Sequence, residues 1–379
     1  MSESKKKMAL VLSGGGARGA FQAGVVRALY EITSHCNRLE IFRTIAGVSA
    51  GSINVSILAS QADQLDKATQ KLCEVWRNLQ AEDVFKTDYT SVTRNAFKLM
   101  RGVSLGGISA KLRPIAVGLL NTAPLRELLS QSIEFDKIED NITKGLLDAV
   151  SVSATDYSTS LGVSFVQGKQ PLKVWQTANR TAVISKLTVD HVMASSAIPL
   201  FFPPIEVEGR YYGDGCLRNT APLSPAVHLG AEKILVIGVR RWRPIDLAKA
   251  PVLQPSMGRV LSVLTNAIFM DAIEVDLERL QIINQTIKLI NEASATKSPF
   301  RPIDALYIQP SVGLSDIAQT RENDLPKVIR FLMAGLGTSE EASEILSYLL
   351  FEPGYCNALV DLGYNDTMAK KEEIISFLA

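Results

Sequence analysis

Two short apolar runs, each followed by a glycine motif, constrain the fold of this chain more than any other feature. Residues 8–13 (MALVLS) lead into three consecutive glycines, and residues 42–48 (FRTIAGV) lead into the motif Gly-Val-Ser-Ala-Gly. A short apolar run bounded by turn residues is typical of a buried strand, and a helical pattern of apolar residues follows each motif. The sequence therefore predicts two successive strand–turn–helix units.

Further patterns along the chain extend this alternation of strands and helices. Apolar runs at 147–156, 161–166 and 233–239 predict three more strands, and residues 205–212 predict a hairpin that turns at Glu208-Gly209. Strands that alternate with helices favour a three-layer α/β core, with a mainly parallel sheet and helices on both of its faces.

The pattern changes after about residue 240. Residues 257–293 form a long amphipathic stretch, and one strand pattern at 305–309 precedes three short helical patterns. We therefore predict a catalytic α/β domain over residues 8–239 and a mostly helical C-terminal extension over residues 240–379, packed on the core. The apolar spacing in the long stretch is typical of a core or a dimer face, which leaves a homo-oligomer open.

Several classes of protein are disfavoured by whole-chain properties. The net charge of +1 gives no general attraction to nucleic acid, and the three tryptophans are too far apart for a base-stacking pattern. Four cysteines without C-x-x-C spacing argue against a zinc site or a disulfide framework and favour a reducing, cytoplasmic setting. The apolar stretch at 8–12 is too short for a signal peptide, and no run approaches the roughly 18 apolar residues of a membrane span.

The motif Gly47-Val48-Ser49-Ala50-Gly51 has the residue types and the position of a nucleophile elbow. In such an elbow a sharp strand-to-helix turn strains the serine backbone, and neighbouring chains approach so closely that flanking side chains have to be absent. The hydroxyl then lies at a helix N-terminus, where the helix dipole favours developing negative charge. Ser49 is therefore the candidate nucleophile, with Gly47 and Gly51 as elbow glycines, although the bare motif also occurs by chance.

A second glycine motif follows the first strand and consists of Gly14, Gly15, Gly16, Ala17, Arg18 and Gly19. Consecutive glycines let backbone N–H groups point into one concavity, which suits the oxyanion of an acyl-transfer intermediate. The same residues satisfy the dinucleotide-binding pattern G-x-G-x-x-G, which also needs an acidic residue at the end of the second strand. Glu40 precedes that strand, and the serine motif stands at its end. The dinucleotide hypothesis is therefore the weaker one.

Asp214 lies between two glycines and is the candidate base for Ser49. Aspartate is a weak base in water, but it can accept a serine proton at hydrogen-bond distance in a water-poor site. The chain order Ser49, Asp214, His228 also matches an α/β-hydrolase triad, so a catalytic His228 stays an alternative. His228 lies in a helix-like stretch, where a structural histidine is the more common case.

Together these motifs resemble the patatin-like phospholipase family, and its bacterial members in particular. The resemblance rests on GGGARG, GVSAG and DG in that order, with ASSAIPLFFPP shortly before the last of them and LVLSGGGARGAFQAGVVRAL as the opening. It covers about residues 8–239, and the segment SYLLFEPGYCNALVDLGYND resembles the C-terminal part of some bacterial members.

The resemblance implies a patatin-like core and a Ser49–Asp214 dyad without histidine. It implies an oxyanion hole from the backbone amides of residues 15–17, with Arg18 either structural or a source of positive charge near the site. The implied activity is hydrolysis of acyl esters in phospholipids, lysophospholipids or neutral lipids, and the resemblance implies no metal and no organic cofactor. Cys216 stands where the family usually has glycine or alanine, which raises the hypothesis that oxidation or alkylation of its thiol affects activity.

The segment from Tyr89 to Arg126 suggests contact with a membrane surface. It lacks acidic residues and interleaves basic with apolar side chains, a composition that can bind anionic lipid. Residues 94–113 are therefore expected to make peripheral membrane contact, with a solvated loop and a buried helix as the alternative. A weakly active lipid-binding regulatory protein is the alternative for the whole chain, although the intact serine, aspartate and glycine motifs argue against it.

Overall fold

The computed structural model of the protein describes residues 6–34, 42–86, 118–219, 221–242, 256–269, 272–293, 300–327, 329–330 and 339–379. The strands are β1 (Met8–Leu12), β2 (Thr44–Val48), β3 (Ala149–Asp156), β4 (Gly162–Gly168), β5 (Arg180–Ile184), β6 (Ile205–Val207), β7 (Arg210–Asp214), β8 (Lys233–Ile237) and β9 (Asp304–Ile308). The helices are α1 (Gly19–Ser34), α2 (Ala50–Ser60), α3 (Leu65–Asn78), α4 (Ala81–Val84), α5 (Ala123–Ser132), α6 (Phe135–Thr143), α7 (Val189–Ser195), α8 (Ser224–His228), α9 (Met257–Phe269), α10 (Ala272–Ala293), α11 (Leu314–Gln319), α12 (Ser339–Leu349), α13 (Pro353–Ala369) and α14 (Lys371–Leu378).

All of these strands belong to one sheet, in the order β5-β4-β3-β2-β1-β8-β9, with the β6–β7 hairpin attached to β3 through β7. The five strands from β3 to β9 along this order run parallel. Strand β4 is antiparallel to β3, and β5 is parallel to β4. The predicted mainly parallel sheet is therefore confirmed, with one antiparallel junction and one hairpin.

Strand β1 shows why its sequence is apolar throughout. Leu10 and Leu12 belong to the large core on one face of the sheet, together with residues of α1, α2 and α3. Ala9 and Val11 belong to a smaller core on the other face, which α8 and α10 cover. Because both faces of a parallel strand are buried, the alternation of polar and apolar residues disappears. The predicted arrangement of helices on both faces is confirmed.

The C-terminal part of the chain is mostly helical and packs against the core. Helix α13 lies so close to α1 that a Cβ on Gly24 would collide with the Val360 carbonyl, and a Cβ on Gly363 with the Phe21 carbonyl. Strand β9 continues the sheet beside β8. The sheet therefore crosses the expected boundary near residue 240, and the division into two domains stays a prediction.

The predicted hairpin is present, and it brings the second candidate catalytic residue to the sheet. Glu208 and Gly209 form its turn with φ values of 49° and 80°, the left-handed conformation that two-residue hairpin turns require. The segment 94–113, expected to contact a membrane, lies outside the described residues. Among the described helices, none has the length and apolar character needed to cross a membrane.

Candidate active site

Ser49 lies at the sharp turn between β2 and α2. Its backbone angles, φ 53° and ψ −127°, form a strained conformation for a residue that carries a side chain. A Cβ on Gly47 would collide with the Gly51 carbonyl, and a Cβ on Gly51 with the carbonyls of Leu12 and Ser13. The close approach of the backbones thus requires glycine at both positions, the geometry that was expected for a nucleophile elbow.

Asp214 lies at the end of β7, next to Ser49. Ser49 Oγ donates a hydrogen bond of 2.6 Å to Asp214 Oδ2, and the Cys216 N–H donates one of 2.9 Å to Asp214 Oδ1. Both side chains are buried, since Asp214 is 0% and Ser49 2% exposed. A Cβ on Gly215 would collide with the Ser153 carbonyl, so this glycine lets the turn after Asp214 pack against β3. The structure therefore brings the two predicted residues together, while their catalytic roles stay predictions.

The environment of Asp214 makes it a better base than an aspartate in water. Burial raises the pKa of its carboxyl to about 6, against the opposing effect of the hydrogen bonds from Ser49 and Cys216. Within the described part of the chain, no lysine, arginine or histidine forms an ion pair with it. At neutral pH the group is therefore mostly ionised and can accept a proton.

Three serines that sequence reasoning did not identify hold the elbow in place. The Ser49 N–H donates to Ser195 Oγ at 2.9 Å, and Ser195 Oγ donates to the Ser153 carbonyl at 2.6 Å. Ser196 Oγ donates to the Ser49 carbonyl at 3.2 Å. Ser195 and Ser196 belong to the segment ASSAIPLFFPP, which contributed to the family resemblance. No local sequence pattern indicates this role, because the elbow that Ser195 binds is 146 residues away along the chain.

The glycine loop of residues 14–19 lies against the same serine. A Cβ on Gly14 would lie 2.9 Å from Ser49 Cβ and would collide with Cys216 Sγ. Gly16 has a φ of 56° and lines one cavity with Ser49. Over the described ranges, no hydrogen bond uses the backbone N–H groups of Gly15 and Gly16. These two N–H groups are therefore available to a ligand, and Gly16 is the one of the two that borders the cavity with Ser49.

Arg18 does not supply free positive charge to the site. Its guanidinium donates to Ser347 Oγ at 2.8 Å through Nε and pairs with the Glu344 carboxylate. It also lies over the Tyr348 ring, 4.6 Å from the centroid. Of the two roles that were considered for Arg18, the structure favours the structural one.

An apolar pocket opens beside Ser49, and the space in and above it, part of which is open to solvent, is about 550 Å³. Ile53 and Ile57 line it one and two turns along α2, so the cavity follows this helix for about 12 Å. The remaining wall is mostly apolar and includes Trp76, Leu129, Ile198, Phe202 and Phe351. An apolar lining that follows a helix in this way suits a small or chain-like apolar ligand group.

The two described histidines have partners away from Ser49 and Asp214. The His228 ring stacks on Trp175 with centroids 4.8 Å apart and an interplanar angle of 9°. His191 Nδ1 lies 2.9 Å from Thr188 Oγ1, within the capping interaction that begins α7. Burial lowers the pKa of His191. In the described residues, no group of three or more His, Cys, Asp or Glu side chains could hold a metal ion.

A comparison with protein families identifies one match. The family described as patatin-like phospholipase matches residues 10–227, which is more than half of the chain and includes the elbow, the glycine loop and Asp214. A search of curated proteins finds no match.

Three of the solved structures that resemble this chain are a Legionella protein, a human phospholipase and a Pseudomonas protein. VipD from Legionella pneumophila is 15% identical with a TM-score of 0.35, over 98% of this chain and 67% of VipD. Human GIVD cytosolic phospholipase A2, in complex with methyl gamma-linolenyl fluorophosphonate, is 12% identical with a TM-score of 0.45, over 99% of this chain and 59% of the human protein. Full-length ExoU from Pseudomonas aeruginosa, in complex with SpcU, is 12% identical with a TM-score of 0.27, over 91% of this chain and 71% of ExoU.

Proposed function

The chain belongs to the patatin-like phospholipase family, and from this premise we propose that it is a serine lipid acyl hydrolase with Ser49 as nucleophile and Asp214 as base. Family membership supports a lipid-hydrolysing activity. The observation that carries the assignment of residues is the 2.6 Å hydrogen bond from Ser49 Oγ to Asp214 Oδ2, buried at the end of an apolar cavity.

In the first step, Asp214 Oδ2 accepts the proton of Ser49 as its Oγ attacks the ester carbonyl carbon. The carbonyl oxygen becomes an oxyanion, which the N–H groups of Gly15, Gly16 and Ala17 stabilise. Each such donor contributes about 3 kcal/mol in acyl transfer. When the intermediate collapses, the bond to the alcohol breaks, Asp214 returns the proton to the leaving oxygen, and Ser49 keeps the acyl group.

In the second step, a water molecule attacks the acyl-enzyme. Asp214 accepts a proton from this water, the oxyanion forms again at the glycine loop, and Ser49 leaves with the proton from Asp214. The products are a fatty acid and the free enzyme. No group outside this chain is needed for the proton transfers.

The hydrogen bonds of Asp214 support a dyad rather than the triad with His228. In a triad the aspartate binds the histidine, and the histidine in turn binds the serine. Here Ser49 binds Asp214 directly, the second carboxylate oxygen accepts from Cys216, and His228 stacks on Trp175.

Hydrolysis of a medium-chain p-nitrophenyl ester tests the proposal. Ser49→Ala is expected to lower kcat by about 10⁶-fold, because it removes the nucleophile. Ser56→Ala is the matched control, since Ser56 is a buried serine of α2, the helix that begins directly after Ser49. This variant is expected to keep activity near wild type. A wild-type protein that binds lipid vesicles but hydrolyses neither this ester nor phospholipids would instead support the regulatory alternative.

The apolar cavity is the proposed site of the acyl chain. Burial of each methylene contributes about 0.8 kcal/mol, so kcat/KM is expected to rise about fourfold per added CH₂ until the cavity is filled. Ile57→Trp occupies the part of the cavity two turns beyond Ser49. We expect it to lower kcat/KM for long esters while a short ester, which serves as the internal control, is hydrolysed as by wild type. An unchanged chain-length profile would contradict this site.

A further inference from the structure

Helix α12 contacts the glycine loop, although it lies outside the residues that the family model matches. The match ends at residue 227, whereas α12 spans Ser339–Leu349. Two independent contacts join it to the loop, one to the backbone of Gly16 and one to the side chain of Arg18.

The backbone contact leaves no free space. A Cβ on Gly16 would collide with the carbonyl oxygen of Tyr348 and would lie within 3.2 Å of two further backbone atoms of that residue. The end of α12 therefore forms a fixed surface behind the residue whose N–H is a candidate oxyanion donor. A shift of α12 would change the space behind this N–H directly.

The side-chain contact is buried and charged. The Arg18 side chain is 3% exposed and binds both the Glu344 carboxylate and Ser347 Oγ. Ser347 is itself fully buried, and its Oγ donates to the Glu344 carbonyl. A charge that is removed from water requires its partners to stay in place, because an unpaired buried charge costs several kcal/mol. Arg18 therefore fixes the C-terminal end of the loop relative to one turn of α12.

We propose that Glu344 and Ser347 are positioning residues for the oxyanion hole, so that the C-terminal extension completes the active site. The inference rests on the proposed function, because it assigns the glycine loop to the oxyanion. Neither residue touches the substrate, and both act through Arg18. A misplacement of catalytic groups by about 1 Å can lower the rate 10²-fold, so the release of this contact is expected to affect turnover.

Kinetics of Ser347→Ala and Glu344→Gln test the proposal. Oxyanion donors act on the transition state more than on the bound ester. We therefore expect kcat to fall about tenfold or more while KM stays close to that of wild type. Ser347→Thr keeps the hydroxyl and is expected to recover most of the lost kcat. Ser376→Ala and Glu373→Gln make the same chemical changes at exposed positions of α14 and should leave kcat unchanged.

Hydrogen exchange of the loop amides gives a readout that does not depend on activity. Peptides covering residues 13–20 should exchange faster in Ser347→Ala and Glu344→Gln than in wild type or in the α14 controls. Unchanged exchange of this peptide, or a fall in kcat that merely follows the unfolded fraction measured by circular dichroism, would overturn the proposal. Failure of the proposed function would be recognised separately, by wild-type protein that does not hydrolyse esters while its loop exchange still responds to the two substitutions.

Discussion

Asp214 and Glu344 lie at opposite ends of the glycine loop of residues 14–19, and they differ in whether a cation lies beside the carboxylate. Asp214, near Gly14, is fully buried and has no cationic partner among the described residues, and burial raises its pKa to about 6. Glu344, at the Arg18 end, is also removed from water for the most part. Burial by itself would raise the pKa of Glu344, but the neighbouring Arg18 more than compensates, and the net pKa is lowered.

In the proposed mechanism, this difference separates the carboxylate that acts as the base from the one that supports the loop. A carboxylate next to a guanidinium holds its charge so firmly that it is a poor proton acceptor. A buried carboxylate without a cation binds a proton more readily, which a base requires, but its ionised form destabilises the folded state. Arg18 thus pairs with Glu344 and supports the loop, while none of the described lysines, arginines or histidines forms an ion pair with Asp214.

The largest effect on activity is expected when the Asp214 side chain can no longer accept a proton. Asp214→Asn is expected to lower kcat/KM for a p-nitrophenyl ester at least about 10³-fold, because the general base is lost. Asp276→Asn is the matched control. Asp276 is a half-buried carboxyl whose pKa is also raised by burial, and it accepts a hydrogen bond from the Leu223 N–H. Activity of Asp214→Asn equal to that of this control would contradict the assignment.

The same two carboxylates should have opposite effects on stability. The folded pKa of Asp214 is raised, so its contribution to stability is complete below the unfolded pKa and is lost as the pH rises through about 6. Asp214→Asn is therefore expected to increase the free energy of unfolding at pH 8 by about 3 kcal/mol.

The folded pKa of Glu344 is lowered, so its contribution is present above the unfolded pKa and is lost as the pH falls. Glu344→Gln is therefore expected to decrease the free energy of unfolding at pH 8. Urea unfolding of both variants measures the two signs, and a decrease for Asp214→Asn would show that its carboxylate is stabilised by a partner.

The pH dependence of kcat/KM should reflect the titration of Asp214 and not that of Glu344. Protonation of Asp214 removes the proton acceptor, so kcat/KM should fall about tenfold per pH unit below pH 6 and be level above it, up to the onset of other ionisations. Glu344→Gln should leave the midpoint of this profile in place, because Glu344 does not exchange protons with the substrate. A midpoint near 4, as for an aspartate in water, would contradict the effect of burial.

The smallest effect is expected from alkylation of Cys216. Burial raises the pKa of its thiol well above the ordinary value, the nearby Asp214 raises it further, and the residue is only 8% exposed. The thiol is therefore protonated and shielded, and iodoacetamide should not change the activity of the folded enzyme. Unfolded protein serves as the positive control for alkylation. Inactivation that accompanies modification of Cys216, measured by mass spectrometry, would support the hypothesis raised from the sequence.

The sequence predicted those parts of the site that local backbone geometry determines. Gly47 and Gly51 are needed where strand and helix backbones touch, and such needs leave a motif of fixed spacing around Ser49. The fold class followed from similar local signals, since strands buried on both faces, such as β1, are apolar throughout. The apolar SYLLF segment at residues 347–351 is likewise buried in the structure.

The parts that depend on distant contacts could not be predicted. Ser195 braces the elbow from 146 residues away, and Glu344 binds Arg18 across 326 residues. A serine or glutamate in a helix has many possible roles, and only the tertiary structure selects one. The junction between β3 and β4 is antiparallel for a similar reason, because the apolar pattern of a strand does not encode its direction.

The rate at which a fluorophosphonate labels Ser49 tests the central claim most directly, since the reaction requires the serine oxygen and its base but no lipid. We would compare wild type, Asp214→Asn and His228→Asn, and identify the labelled residue by mass spectrometry. The account predicts labelling of Ser49 at equal rates in wild type and His228→Asn, and labelling about 10²-fold to 10⁴-fold slower in Asp214→Asn. Slow labelling of folded His228→Asn, or undiminished labelling of Asp214→Asn, would contradict a dyad in which Asp214 alone activates Ser49.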